Sequence, residues 1–184
     1  MAVNKPEKPA LNAFKPVKLK LDCGVLELRL FCEGDAEPLN GIFCNPSVNA
    51  GLLFEPCTLA ESQRYFAEEA AKGRASVVAV LDGRVVGNIS FRPCAGRSLH
   101  VTGFGIMFSP SVHGKGVASA ALDAVFNHWR KAGFEIVRGD VFSSNARARA
   151  FYKKLGFEEV GVAPRVAKFT DGHYDDEVVI VKRL

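Results

Sequence analysis

The segment His113-Gly114-Lys115-Gly116-Val117-Ala118 places glycines, a lysine and an imidazole at a single junction. Before it runs an apolar stretch, residues 104–108; after it an apolar-periodic stretch extends to Trp129. The order reads strand, glycine-rich loop, helix N-terminus. A helix leaves its first N–H groups without internal partners and carries partial positive charge there. Glycine lets a bulky anion come close to the backbone. These residues therefore suit a phosphate or diphosphate. A Walker loop is excluded, because Lys115-Gly116 has the reverse order and no hydroxyl follows. The dinucleotide fingerprint also fails: Gly114-Lys115-Gly116-Val117-Ala118-Ser119 lacks the third glycine, and the loop follows several strand-like runs rather than a first parallel strand.

A second segment, residues 145–157, brings an amide (Asn145), a phenol (Tyr152) and Gly156-Phe157. Together the two segments resemble the GNAT superfamily, the acyl-CoA-dependent N-acyltransferases. Its loop pattern, Gln/Arg-x-x-Gly-x-Gly/Ala, is filled by His113, Gly116 and Ala118, with His113 a departure at the first position. Its second pattern, Asn-x-x-Ser/Ala-x-x-x-Tyr-x-x-x-Gly-Phe, is met by Asn145, Ala148, Tyr152, Gly156 and Phe157. The resemblance spans residues 25–184. Within the superfamily the chain is similar to the bacterial L-amino-acid N-acetyltransferases, through residues 97–100 and 104–106, Gly116 to Ala120, Tyr152-Lys153-Lys154 and Asp171-Gly172 with Tyr174 and Asp176.

The resemblance implies an α+β fold of the GNAT acyl-CoA N-acyltransferase type, a mixed, mostly antiparallel sheet flanked by helices. It implies an N-acetyltransferase that uses acetyl-CoA as co-substrate and no metal. The favoured acceptor is the α-amino group of a free L-amino acid, attacking directly in a ternary complex. The alternatives are a protein N-terminus of the ribosomal-protein-alanine type, another small amine, or a non-catalytic CoA-binding module. Carried onto this chain, the diphosphate falls to His113, Gly114, Lys115, Gly116, Val117, Ala118 and Ser119. Ile106, Met107 and Phe108, in a strand that bulges and splays from its neighbour, pair with the pantetheine amides. Asn145 contacts the cofactor arm. Tyr152 binds there too and is the general acid, since a phenol and a departing thiolate can share a proton. The general base is open: His100 is a candidate because imidazole titrates near neutral pH, with Glu55 and Asp140 beside it. His128 and His173 read as surface residues. Lys115, Arg149, Lys153 and Lys154 form a basic cluster able to attract phosphates.

These groups need a frame. Residues 25–31 alternate apolar and charged and read as a strand. Asp35 can cap a short helix to Phe43, and Thr58 with Glu61 has the spacing of a capping box for a helix ending at Gly73. Residues 76–81 and 84–91 flank Asp82-Gly83, a hairpin signal, and residues 99–108 add a third strand to make a meander. A helix with the stripe Ala118, Leu122, Val125 and Trp129 follows. Then come a strand over residues 134–142, a helix capped by Ser143, Ser144 or Asn145 and closed at Gly156, and two strands joined by Asp171-Gly172.

The chain's 184 residues, 48% hydrophobic and 24% charged, fit one soluble domain. The net charge is +4. Much of it lies in residues 1–20, where lysines and prolines suggest a flexible basic arm before a single domain over residues 21–184. No secretory or membrane-spanning segment is evident. Cys23, Cys32, Cys44, Cys57 and Cys94 form no paired motif, which points to a reducing, cytoplasmic setting and away from zinc. No RNA-binding aromatic motif or DNA-recognition helix accompanies the basic balance. Implied partners are a small-molecule amine and a second copy of the chain, since the last strands of this fold often pair across a two-fold; neither nucleic acid nor membrane is expected.

Overall fold

A computed structural model describes residues 14–72, 74 and 76–184. In chain order it contains β1 (Val17–Leu21), β2 (Gly24–Leu30), α1 (Ala36–Phe43), α2 (Pro46–Asn49) and α3 (Leu59–Ala71). The meander β3 (Ser76–Leu81), β4 (Arg84–Pro93) and β5 (Val101–Phe108) follows. The chain ends with α4 (Val117–Lys131), β6 (Ile136–Phe142), α5 (Ala146–Lys154), β7 (Glu158–Lys168) and β8 (Tyr174–Arg183). All eight strands form one sheet in the order β1-β2-β3-β4-β5-β6-β8-β7. Among the described residues only β5 and β6 pair in parallel, so the sheet is mixed and mostly antiparallel.

Local sequence explains most of these elements. The β3–β4 turn uses Asp82 (φ 46°) and Gly83 (φ 81°), the two left-handed positions of a type I′ hairpin. Leu122, Val125 and Trp129 of α4 are each 0% exposed, as the stripe requires. They pack with α5 and one face of the sheet. On the opposite face Leu39, Ile42 and Val48 of α1 and α2 pack against Val78, with Leu52, Phe66 and Met107 beside them. The sheet is thus a wall with α4 and α5 on one side and α1 to α3 on the other.

Several expectations need correction. A flexible arm over residues 1–20 overruns β1, which pairs with β2 from Val17↔Leu28 to Leu21↔Gly24. Val17, Leu19 and Leu21 pack on the core while Lys18 and Lys20 face solvent; this two-residue period is what a half-buried strand needs. Phe14, ahead of β1, is also buried in the core; residues 1–13 lie outside the described residues, as does Gly73. Helix α2 was not anticipated; Asn45 caps it and Pro46 opens it. Asp35 does not cap α1 with its side chain. It accepts two hydrogen bonds from Arg29, both 2.7 Å, and one from the Cys32 N–H at 2.8 Å. Burial works to raise the Asp35 carboxyl, but these bonds outweigh it and hold the group below the usual carboxylate range. His128 is not a plain surface residue: its Nε2 is buried, and its ring packs edge-on against Phe14, with centroids 5.0 Å apart.

Candidate active site

The site begins where β5 and β6 separate. Their pairing runs from Val101↔Ile136 to Gly103↔Arg138 and stops. The next pair would be Phe104 and Gly139, but the Phe104 ring lies on Gly139. A Cβ there would stand 2.6 Å from Phe104 Cε1. Phe104 is held by Phe157, Tyr152 and Phe126, at centroid distances of 5.3, 5.7 and 5.9 Å. Beyond it the strands diverge into a wedge. The bulge expected in β5 is absent from its pairing with β4, which runs unbroken from Gly87↔Phe108 to Pro93↔Thr102. The register shift lies between β3 and β4 instead, at Ala79 and Val80. A ring, not a bulge, parts the strands.

Strand parity then decides which backbone groups face the wedge. The Ser109 N–H donates to Val86 O at 2.8 Å, and the Cys94 N–H to Val101 O at 3.0 Å. The odd-numbered residues of β5 are therefore bonded to β4, and the even-numbered ones point toward β6. Past Gly103, the Ile106 N–H and C=O and the Phe108 N–H find no strand partner among the described residues. Met107 differs from the expectation: its backbone is bonded into β4, and its side chain packs on the α1–α3 face.

At the mouth of the wedge sits the glycine-rich loop. Gly114 (φ 74°) and Gly116 (φ 75°) adopt backbone angles that side chains disfavour. A Cβ at either would meet nothing within 4 Å, so the space above the loop is open. Gly116 is the N-cap of α4 and offers no side chain to cap it. The first N–H to bond back into the helix is that of Ala120, to Gly116 O at 3.0 Å. Among the described residues the N–H groups of Val117, Ala118 and Ser119 have no partner. Lys115 contributes less than expected, since its N–H is already bonded to Val112 O at 3.3 Å. His113 sits beside the loop, with Nε2 3.1 Å from Phe108 O and Nδ1 3.1 Å from Arg147 Nη1.

Helix α5 forms the other wall. Asn145 caps it through Oδ1, which accepts from the Ala148 N–H at 3.0 Å. Its Nδ2 lies over Gly51, where a Cβ would approach to 2.8 Å. The loop after α2 thereby reaches the wedge. The Ser143–Ser144–Asn145 turn is held by Asp175 of β8, which accepts from Ser143 Oγ at 2.8 Å, from the Ser144 hydroxyl, and from the Asp176 N–H at 2.9 Å. Burial works to raise the Asp175 carboxyl, and these donors overcome it and lower it. Tyr152 projects from α5 into the aromatic cluster, and burial pushes its phenol well above the ordinary value. Among the described residues its hydroxyl makes no hydrogen bond. Burial thus favours the neutral phenol, whose O–H can donate as well as accept a hydrogen bond.

His100 does not join this group. Its carbonyl accepts from the Glu135 and Ile136 N–H groups, at 2.9 and 3.2 Å, at the closed end of the β5–β6 pair. Six residues of extended chain, roughly 20 Å, separate it from Ile106. Glu55 is exposed on the loop before α3. His173 is exposed, as expected, and is bonded to Asp171. Asp140 lies on the α1–α3 face of β6, and Glu177 on that same face of β8, opposite Phe142. Burial and the Asp140 charge raise the Glu177 carboxyl. The basic cluster is smaller than it reads. Arg149 is bound bidentately by Glu159, at 2.8 and 2.9 Å, and donates to Ser143 O; Lys115, Lys153 and Lys154 are exposed. Sequence reasoning missed Arg147, Asp175 and Glu177, whose partners stand far away along the chain. Among the described residues no three His, Cys, Asp or Glu side chains gather as a metal site.

A wedge between two parallel strands, opening beside an uncapped helix N-terminus, defines an N-acyltransferase architecture. Residues 26–158 match the acetyltransferase (GNAT) domain model, and the chain belongs to that family. It is 32% identical over 151 residues to the L-amino acid N-acetyltransferase AaaT of Escherichia coli (strain K12), covering 77% of this chain and 88% of that protein. Its fold resembles that of a ribosomal-protein-alanine N-acetyltransferase from Brucella melitensis, with TM-score 0.74, 22% identity, and 85% and 99% of the two chains covered. It also resembles a phosphinothricin acetyltransferase from Sinorhizobium meliloti in complex with AcCoA, with TM-score 0.72, 23% identity, and 85% and 87% covered. The protein is accordingly an acyltransferase. No helix of the described chain is long and apolar enough to cross a membrane.

Proposed function

We propose that the protein transfers acetyl from acetyl-CoA to the α-amino group of a free L-amino acid. The observation that carries the reading is the pair of unpartnered donor sets along one wedge, Ile106 and Phe108 in β5 and Val117, Ala118 and Ser119 at the start of α4. An extended chain with amides at one end and a diphosphate at the other matches that pair. The amino-acid acceptor is supported by the 32% identity to AaaT across most of both chains. The site's remaining roles follow from placement. A wedge-facing N–H of β5 polarises the thioester carbonyl, a contact typically worth ~2.7–4 kcal/mol. The Tyr152 hydroxyl, kept protonated by burial, donates to the departing sulfur. The amine approaches from the α1–α3 face, where Asp140 and Glu177 stand ready to take its proton; the raised Glu177 carboxyl is the better base of the two.

A second copy of the chain is the proposed partner. Edge strand β7 exposes Val160, Val162 and Val166. Five free cysteines and the need for acetyl-CoA support a cytoplasmic setting.

Thiol release from acetyl-CoA, measured across a panel of amino acids and short peptides, tests the reaction. Free amino acids should give turnover, and preference for peptides would move the acceptor to a protein N-terminus. Tight CoA binding without release for any amine would leave only a binding module. Tyr152→Phe should lower kcat by roughly 10²-fold or more with little change in KM for acetyl-CoA.

A further inference from the structure

The first position of the loop is where this chain departs from its family, and the residue there does something specific. Arg147 Nη1 and His113 Nδ1 are 3.1 Å apart. A guanidinium has donors only, so Arg147 donates and Nδ1 accepts. Nδ1 then carries no proton, and the Nε2–H donates to the Phe108 carbonyl at 3.1 Å. His113 thereby ties the end of β5, the loop and the first turn of α5 together across the mouth of the wedge. One of the five N–H donors of Arg147 is used in this way. The side chain is exposed, and among the described residues no carboxylate pairs with it. Arg149 on the same helix is the contrast: Glu159 takes both arms of its fork.

We propose that Arg147, stationed by His113, is a ligand of the diphosphate of the acyl-CoA donor. The proposal rests on the acetyl-CoA reading above. The amides of Val117, Ala118 and Ser119 approach the anion from α4. Arg147 approaches from α5, on the facing wall, with a planar fork that suits phosphate oxygens. An uncommitted guanidinium beside uncommitted amides has one chemistry in common, which is binding an oxyanion. His113 serves as a positioning residue: a neutral acceptor that aims the guanidinium without neutralising it, as a carboxylate would.

Calorimetric titration of the protein with CoA, and with dephospho-CoA, which keeps the diphosphate and lacks the 3′-phosphate, tests this without turnover. Arg147→Ala should weaken both ligands by the same factor, about tenfold or more. His113→Ala should give a similar loss, and the double variant little beyond either single one. His113→Gln, which can accept from Arg147 and donate to Phe108, should retain most of the affinity. Thermal melting of each unliganded variant checks that it folds. Binding of both ligands by Arg147→Ala within about twofold of the parent overturns the proposal. A loss confined to CoA would move Arg147 to the 3′-phosphate and overturn the diphosphate assignment. Fully additive losses would detach Arg147 from His113. Failure of the parent protein to bind either ligand overturns the acetyl-CoA reading itself, an outcome separate from these.

Discussion

Helices α3 and α4 begin in opposite ways. α3 is sealed by its own sequence: the Glu61 N–H donates to Thr58 Oγ1 at 3.3 Å, and the Thr58 N–H donates to Glu61 Oε2 at 2.8 Å. α4 starts at Gly116 with no side-chain cap, a serine where α3 has its glutamate, and open space above the loop. α5 lies between them, capped by Asn145 and tethered through Asp175. The chain therefore has the means to close a helix start and leaves it unused at α4. An uncapped terminus costs stability unless something else supplies the partner. Under the proposed reading, the diphosphate of acetyl-CoA supplies that partner.

The sharpest way to break this contrast is to seal α4 as α3 is sealed. Ser119→Glu places a carboxylate at the same helical position as Glu61. Repulsion between it and a diphosphate should weaken CoA by roughly 100-fold. The unliganded protein should keep its stability or gain a little, because an acid in the first turn suits the helix dipole. Titration calorimetry with CoA and melting of the free protein read both effects. Loss of stability instead would mean that α4 is open for a structural reason.

Asp175→Asn loosens the start of α5 and should cost about 1–3 kcal/mol in chemical denaturation at pH 7. The carboxyl is lowered in the folded state, so its stabilisation is present above the unfolded pKa of about 3.9 and fades as pH falls through the folded value. The gap between parent and variant should therefore narrow in acid. Activity should fall as well, since Asn145 loses its support. The smallest effect belongs to the sealed helix: Thr58→Ala should lower the melting temperature by about 2–4 °C and leave CoA affinity unchanged. A clear change in CoA affinity there would show that the two helix starts are coupled.

What could be read from the chain beforehand follows the range of the interactions. The Thr58–Glu61 box, the Asp82–Gly83 turn, the α4 stripe and the two family segments are contacts between near neighbours, and the structure forms each of them. β1 was hidden because its alternation sits among lysines and prolines that look like a tail. Its pairing with β2, rather than its composition, makes it a strand. Asp175 reaches Ser143 across 32 positions and Arg147 reaches His113 across 34, and no local pattern encodes either. Arg149 read as an available cation because Glu159 meets it only once β7 has joined the sheet. His100 lies near the loop in sequence, but extended β5 carries it to the far end of the strand.

The Phe104 ring on Gly139 has a further consequence, in kinetics. The strands are held apart by a packed side chain before any ligand arrives, so the work of separating them belongs to folding rather than to encounter. A cofactor entering such a slot replaces water and breaks no ladder. Association should then follow a single exponential whose rate rises linearly with concentration, with no slow opening step to cap it.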